Sequence, residues 1–333
     1  MWMYWLAIAG GLALLVWSAN RFILGAAALA VNLGVPTIII GMVIMGFGTS
    51  APEMFVAATA SLNGNPGVAV GNAIGSNIAN IALVLGISAL VSPILVRSGT
   101  LKRELPVLFL VSLGLLVLML DLELSRVDGA ILLVGTVQMI GWMLWLARNK
   151  RDADDPLEQE FESEMPRNIS TKFAIFWSIL GLILLLVSSQ ILVWGAVNVA
   201  KAFGISDLII GLTIIAVGTS LPEIAVSVLG SLKGEDDMAI GNVIGSNLFN
   251  ILAVLGIGAV IEPAPLTMQV LTRDYVTMLV LTIVLFVIGY GFRGQGRINR
   301  LEASMLVCAY IAYLVWLYIS EVSVATAGPI AGN

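Results

Sequence analysis

Two glutamates, Glu53 and Glu223, lie inside otherwise apolar runs, and each closes the same short segment, Gly-Thr-Ser-x-Pro-Glu. An acidic side chain at the centre of a bilayer costs about 2.5–3.5 kcal/mol on insertion scales, so a matched pair of them points to a functional cation site. The alternative is a pair of structural glutamates neutralised by protonation or by a buried base, but the only basic residue that can lie centrally in a span is Arg21. Pro52 and Pro222 immediately precede the glutamates. A proline lacks the N–H that would bond the carbonyl four residues back, which releases the carbonyls of Gly48 and Gly218. The small-residue runs Gly46 to Ser50 and Ala216 to Ser220 let those carbonyls, with the hydroxyls of Thr49, Ser50, Thr219 and Ser220, come close to an ion. Downstream, Asn72, Ser76 and Asn80 recur as Asn242, Ser246 and Asn250, spaced i, i+4, i+8 along one helix face. Gly71 with Gly75 and Gly241 with Gly245 also fit close helix packing, so a packing role for Asn72, Asn77, Asn242 and Asn247 stays open. The combined donors are all hard oxygens, the kind that suits Ca²⁺ in larger shells and Na⁺ in smaller ones. Two negative charges neutralise one Ca²⁺ or two monovalent cations, and competition for them provides a logic for exchange.

These residues need a membrane scaffold. Of 333 residues, 59% are hydrophobic and only 11% charged, against about 25% charged in soluble domains. The absence of histidine and the single cysteine, Cys308, exclude zinc centres, Ser-His-Asp triads and intramolecular disulfides. No enzyme chemistry, cofactor or nucleic-acid partner is indicated, nor an obligate protein partner. Hydropathy and breakers predict an all-α integral membrane protein with helices near 4–30, 35–62, 68–92, 104–120, 127–147, 173–201, 206–232, 238–261, 275–291 and 303–320. No basic leader precedes the first apolar run, so that segment is expected to be retained as a helix.

The two halves repeat at a shift of 170 residues, with 13 identities in the 19 positions from 69 to 87. Five spans per copy is an odd number, so the second copy starts on the opposite side and the repeat is inverted, as in many transporters. The loops after helices 3, 5, 7 and 9 carry Arg97, Lys102, Arg103, Arg148, Lys150, Arg151, Arg167, Lys172, Lys233, Arg293, Arg297 and Arg300, whereas the opposite loops carry Arg126, Lys201 and Arg273. The positive-inside rule then puts the 148–171 loop in the cytoplasm and both termini outside.

The paired segments resemble the α-repeats of the calcium/cation antiporter superfamily, and the chain is similar to its bacterial YrbG-like sodium/calcium antiporters. That resemblance implies the sodium/calcium exchanger fold, with repeats at 1–147 and 172–320, repeat motifs at 41–87 and 211–257, and a tail at 321–333. It implies an inner-membrane antiporter that exchanges Ca²⁺ for Na⁺, with relatives that use H⁺ or K⁺. It also implies ion ligands at Glu53, Glu223, Thr49, Thr219, Ser50, Ser220, Ser76, Ser246, Asn80 and Asn250, supported by Gly46, Gly48, Pro52, Ala216, Gly218 and Pro222. One departure stands out: well-known sodium/calcium members carry aspartate where this chain has Asn250, which leaves two carboxylates instead of three. The acidic run Asp152 to Glu164 lacks the glycine and spacing of an EF-hand and reads as a solvated linker. Trp2, Tyr4 and Trp5 suit the interfacial aromatic belt, and Arg21 is expected to snorkel or to face the bundle.

Overall fold

The apolar runs fold into helices, and among the described residues seven are long and apolar enough to cross a membrane. The computed structural model describes residues 2–33, 46–64, 66–149, 169–202, 216–291 and 296–327. The first half contains α1 (Trp2–Leu33), the short α2 (Gly46–Thr49), α3 (Ala51–Leu62), α4 (Pro66–Ala79), α5 (Leu85–Val91), α6 (Gly99–Leu118) and α7 (Arg126–Asn149). The second contains α8 (Thr171–Ala202), the short α9 (Ala216–Thr219), α10 (Leu221–Lys233), α11 (Asp236–Phe249), α12 (Leu255–Ile261), α13 (Val276–Tyr290) and α14 (Arg300–Ala327). The expected span at 104–120 is α6, which begins earlier and carries Lys102, Arg103 and Glu104 near its start. The spans expected at 35–62 and 206–232 fall partly outside the described residues, as does most of the 148–171 loop. The last helix continues to Ala327, past the expected end at 320.

Burial is organised around the second long span of each half. Ile74, Ile78, Ile81 and Leu85 are at most 1% exposed, as are Ile240, Ile244, Leu248 and Ile251. By contrast, Val127, Ile131, Val134 and Val137 of α7 are exposed, the pattern of a helix that meets lipid instead of water. Each central span is interrupted at the same place by a π-helical turn, Asn80–Val84 and Asn250–Val254, which joins α4 to α5 and α11 to α12. A third π turn, Val270–Tyr275, leads into α13.

Four short strands report which loops share a side. β1 (Ile94–Val96) pairs antiparallel with β4 (Gly296–Ile298), and β2 (Glu123–Leu124) pairs with β3 (Ala264–Pro265). The first pairing joins the loops after helices 3 and 9; the second joins those after helices 4 and 8. Arg126 and Glu262, 3.8 Å apart, reinforce the second. These are the partners that an inverted repeat of five spans requires.

The first side is fastened by two acids in the first turn of α11. Asp237 Oδ1 accepts hydrogen bonds from the backbone N–H groups of Arg97 (2.9 Å) and Ser98 (3.0 Å), and Asp236 Oδ2 accepts one from Leu95 (3.1 Å). The first half has Pro66 and Gly67 at the matching positions, which cannot make such a clasp. Because Asp237 is fully buried, Asp237→Ala strands two donors, and the expected destabilisation is about 3 kcal/mol. Thermal unfolding of the solubilised protein checks this, and an unchanged midpoint refutes it.

α1 and α8 lie antiparallel along each other. Tyr4 meets Trp194 with ring centroids 5.3 Å apart, and Asn32 Nδ2 donates to the Ile169 carbonyl at 2.7 Å. The approach is close because a methyl group on Gly181 would sit 2.6 Å from the Phe22 backbone nitrogen.

Candidate cation site

In both halves the helix breaks at the serine of the Gly-Thr-Ser segment. α2 ends at Thr49 and α3 restarts at Ala51; α9 ends at Thr219 and α10 restarts at Leu221. Proline is tolerated in the first turn of a helix, where its missing N–H would have no intrahelical partner. Ser220 accordingly sits at φ −87° and ψ 5°, in the sparsely populated region between helix and strand. The Ser50 and Ser220 carbonyls accept the first bonds of the new helices, from Met54 N (3.1 Å) and Ile224 N (3.0 Å). Glu53 and Glu223 thus fall in the first turns of α3 and α10, where the helix dipole favours negative charge.

Both carboxylates are fully buried, and they face each other closely enough to interact electrostatically. Each is served by hydroxyls of the opposite half. Ser50 Oγ donates to Glu223 Oε1 at 3.4 Å, and Thr49 also faces Glu223, while Thr219 faces Glu53. Ser76 and Ser246 stand beside the glutamate of their own half. The two motifs cross-link further through Thr49 Oγ1, which lies 3.1 Å from Ser246 Oγ and donates to Asn242 Oδ1 at 3.4 Å. Among the described residues, no third carboxylate joins the pair in a metal-holding cluster.

The asparagines divide by role. Asn72 Nδ2 donates to the Glu53 carbonyl and Asn242 Nδ2 to the Glu223 carbonyl, both at 3.4 Å, so this pair braces the backbone at the helix breaks. Asn77 turns to the scaffold, donating to Met278 Sδ at 3.4 Å. Asn80 and Asn250 are fully buried and open the two π turns, which are frequent at functional sites. Among the described residues, a methyl group on Gly71 or Gly75 would meet no atom within 4 Å, so no close packing forms there with the described helices. The close contact forms instead between halves, where a methyl group on Gly46 would lie 3.2 Å from the Gly245 carbonyl carbon. Gly48 is fitted under the Phe22 ring, a contact that no spacing signal foretold.

Polar atoms at the centre are left without partners. Among the described residues, both oxygens of Glu53, Glu223 Oε2, Ser220 Oγ and both amide atoms of Asn80 and Asn250 make no hydrogen bond. Buried polar groups are nearly always satisfied, since leaving one unpaired costs about 1–3 kcal/mol. Orphans that cluster around two carboxylates suit a cation as the missing partner, and the oxygens present are those a hard cation binds.

The sodium/calcium exchanger protein family profile matches residues 3–144 and 173–319. CaxA of Alkalimonas amylolytica is 49% identical over 93% of this chain and 97% of its own. The inner membrane protein YrbG of Escherichia coli is 41% identical over 92% and 94%. Among solved structures, the sodium-calcium exchanger NCX_Mj superposes with a TM-score of 0.78 at 32% identity, over 94% of this chain and 98% of that one.

Proposed function

The chain belongs to the sodium/calcium exchanger protein family, and from that premise we propose that Glu53 and Glu223 form one central site that Ca²⁺ and Na⁺ occupy in alternation. The protein is a multi-pass membrane cation antiporter that moves Ca²⁺ against Na⁺. The observation that carries the site reading is the pair of buried carboxylates with orphaned oxygens, each faced by hydroxyls of the opposite half. Thr49, Thr219, Ser50, Ser220, Ser76, Ser246, Asn80 and Asn250 supply neutral oxygens around the ion; Pro52, Pro222 and the small residues Gly46, Gly48, Ala216 and Gly218 keep the breaks open. A loaded site is neutral and can cross between faces, whereas an empty one leaves two buried charges unmatched. That difference makes exchange obligatory.

We infer the finer assignments from three sources: the family resemblance supports an inner-membrane location, the repeat supports five-helix units at 1–147 and 172–320, and the charge pattern supports termini on the outer face with the 148–171 linker in the cytoplasm. Proteoliposomes with imposed gradients test the coupling ion. Uptake of radiolabelled Ca²⁺ is expected to follow an outwardly directed Na⁺ gradient and to ignore collapse of a pH or K⁺ gradient. Uptake that survives loss of the Na⁺ gradient but not of the pH gradient makes the glutamates proton carriers instead.

Asn250 bears on stoichiometry, because two carboxylates balance two Na⁺. Asn250→Asp is expected to steepen the Na⁺ dependence of exchange and to make it more sensitive to membrane voltage, with a smaller change in apparent Ca²⁺ affinity. Unchanged Na⁺ dependence and voltage sensitivity refute this.

A further inference from the structure

Among the described residues, Arg21 is the one basic residue in the middle of an apolar helix, and the ion site makes no use of it. Its guanidinium lies 5.3 Å from the Trp17 ring centroid and 4.9 Å from that of Trp177, a cationic group caged by indoles from α1 and α8. Among the described residues, no carboxylate lies within ion-pair distance of it. Trp17 and Trp177 meet edge to face at 5.8 Å, and Phe173 and Phe176 pack on Trp177. Trp17, Phe173 and Phe176 are exposed, so the cage opens on the lipid-facing surface. Trp177 lies only six residues after the start of α8, about 9 Å along the helix. That end begins with the exposed Lys172, just after a linker whose acidic run ends at Glu164. A guanidinium with aromatic neighbours at this depth has the composition of the headgroup boundary, where one opposite charge would remove the cost of an unpaired cation.

We propose that Arg21, Trp17 and Trp177, with Lys172 below them, bind the phosphodiester of an anionic phospholipid in the cytoplasmic leaflet. The bound phosphate pairs with the guanidinium, and the indoles pack against the glycerol and upper acyl chain. Arg21 also adjoins the ion site through the chain itself. Phe22 is 1% exposed on the inner face of α1 and seats its ring on Gly48, next to Thr49 and Ser50. A lipid held at Arg21 therefore fixes the helix that closes one wall of the site.

Native mass spectrometry of the purified protein with phosphatidylglycerol or phosphatidylcholine tests binding without relying on transport. The wild type is expected to retain phosphatidylglycerol about fivefold better than phosphatidylcholine, in line with one basic residue near a charged surface. Arg21→Gln is expected to lose that preference and Arg21→Lys to keep part of it. Equal retention of phosphatidylglycerol by Arg21→Gln and the wild type overturns the proposal, and so does displacement of the lipid by millimolar inorganic phosphate, which would indicate a free-anion site. Calcium binding measured on the same Arg21→Gln sample separates the two readings. Intact binding with lost lipid preference supports the lipid site alone, and unchanged lipid preference refutes it whatever happens at the glutamates.

Discussion

Glu53→Gln and Glu223→Gln are each expected to lower exchange by at least about a hundredfold. Removing one partner from a buried charge pair costs about 3–5 kcal/mol, and each 1.4 kcal/mol is a factor of ten. Both glutamates are fully buried, and among the described residues both oxygens of Glu53 and Oε2 of Glu223 accept no hydrogen bond, so in the proposed site a bound cation is their main compensating charge. The same reasoning sets the sign of a second effect. Without ions, a neutral amide relieves the repulsion between the two carboxylates, so either variant is expected to unfold at a higher temperature than the wild type in ion-free buffer. Added Ca²⁺ is then expected to stabilise the wild type, as any ligand that binds only the folded state does, and to leave the variants nearly unchanged. Proteoliposome flux paired with thermal unfolding checks both parts. Exchange retained in both variants would place the ion elsewhere.

Gly48→Ala is expected to cut exchange by at least about tenfold. The added methyl group would sit 2.6 Å from Cζ of Phe22, well inside contact distance, and Phe22 is itself 1% exposed with its backbone packed against Gly181 of α8. Forcing extra volume into such a seam costs about 1–3 kcal/mol. The backbone of Gly48 must move, and with it the adjacent Thr49 and Ser50 hydroxyls that face Glu223. Shortening the ring should undo the damage: Phe22→Leu combined with Gly48→Ala is expected to recover most of the lost exchange. A double variant no better than Gly48→Ala alone would show that the methyl group acts through something other than this contact.

How much was legible differs from residue to residue. Glu53 and Glu223 stood out because charge is scarce in the spans, and the 170-residue repeat fixed their equivalence before any coordinate. Helix breaks were readable from Pro52 and Pro222, whose chemistry is local, but that chemistry pointed to the carbonyls of Gly48 and Gly218, and the breaks fall at Ser50 and Ser220. The strand pairings bring together loops that the ten-span reading puts on one face, 94–96 with 296–298 and 123–124 with 264–265. The π turns at Asn80 and Asn250 were not readable: a change from i+4 to i+5 bonding within a uniformly apolar run leaves the hydropathy pattern intact. Spacing alone puts Asn72, Ser76 and Asn80 on one stripe, yet Asn72 braces a carbonyl while the Asn80 amide makes no hydrogen bond among the described residues. That distinction depends on where neighbouring helices fall. The contact of Phe22 with Gly48 and the clasp of Asp237 on the 97–98 backbone were hidden for the same reason, because each joins segments with no local signal of their meeting. Gly71 and Gly75 differ in the opposite direction, since their spacing suits close packing but no described residue comes within 4 Å of where their methyl groups would lie.

Equilibrium binding of Ca²⁺ to the purified protein across a range of Na⁺ concentrations tests the shared site most directly, since it needs neither a membrane gradient nor turnover. Na⁺ is expected to weaken Ca²⁺ binding progressively, with no residual high-affinity binding at saturation and no binding in the Glu53→Gln, Glu223→Gln double variant. Ca²⁺ affinity that is indifferent to Na⁺, or that persists without both carboxylates, would contradict a single site occupied in alternation.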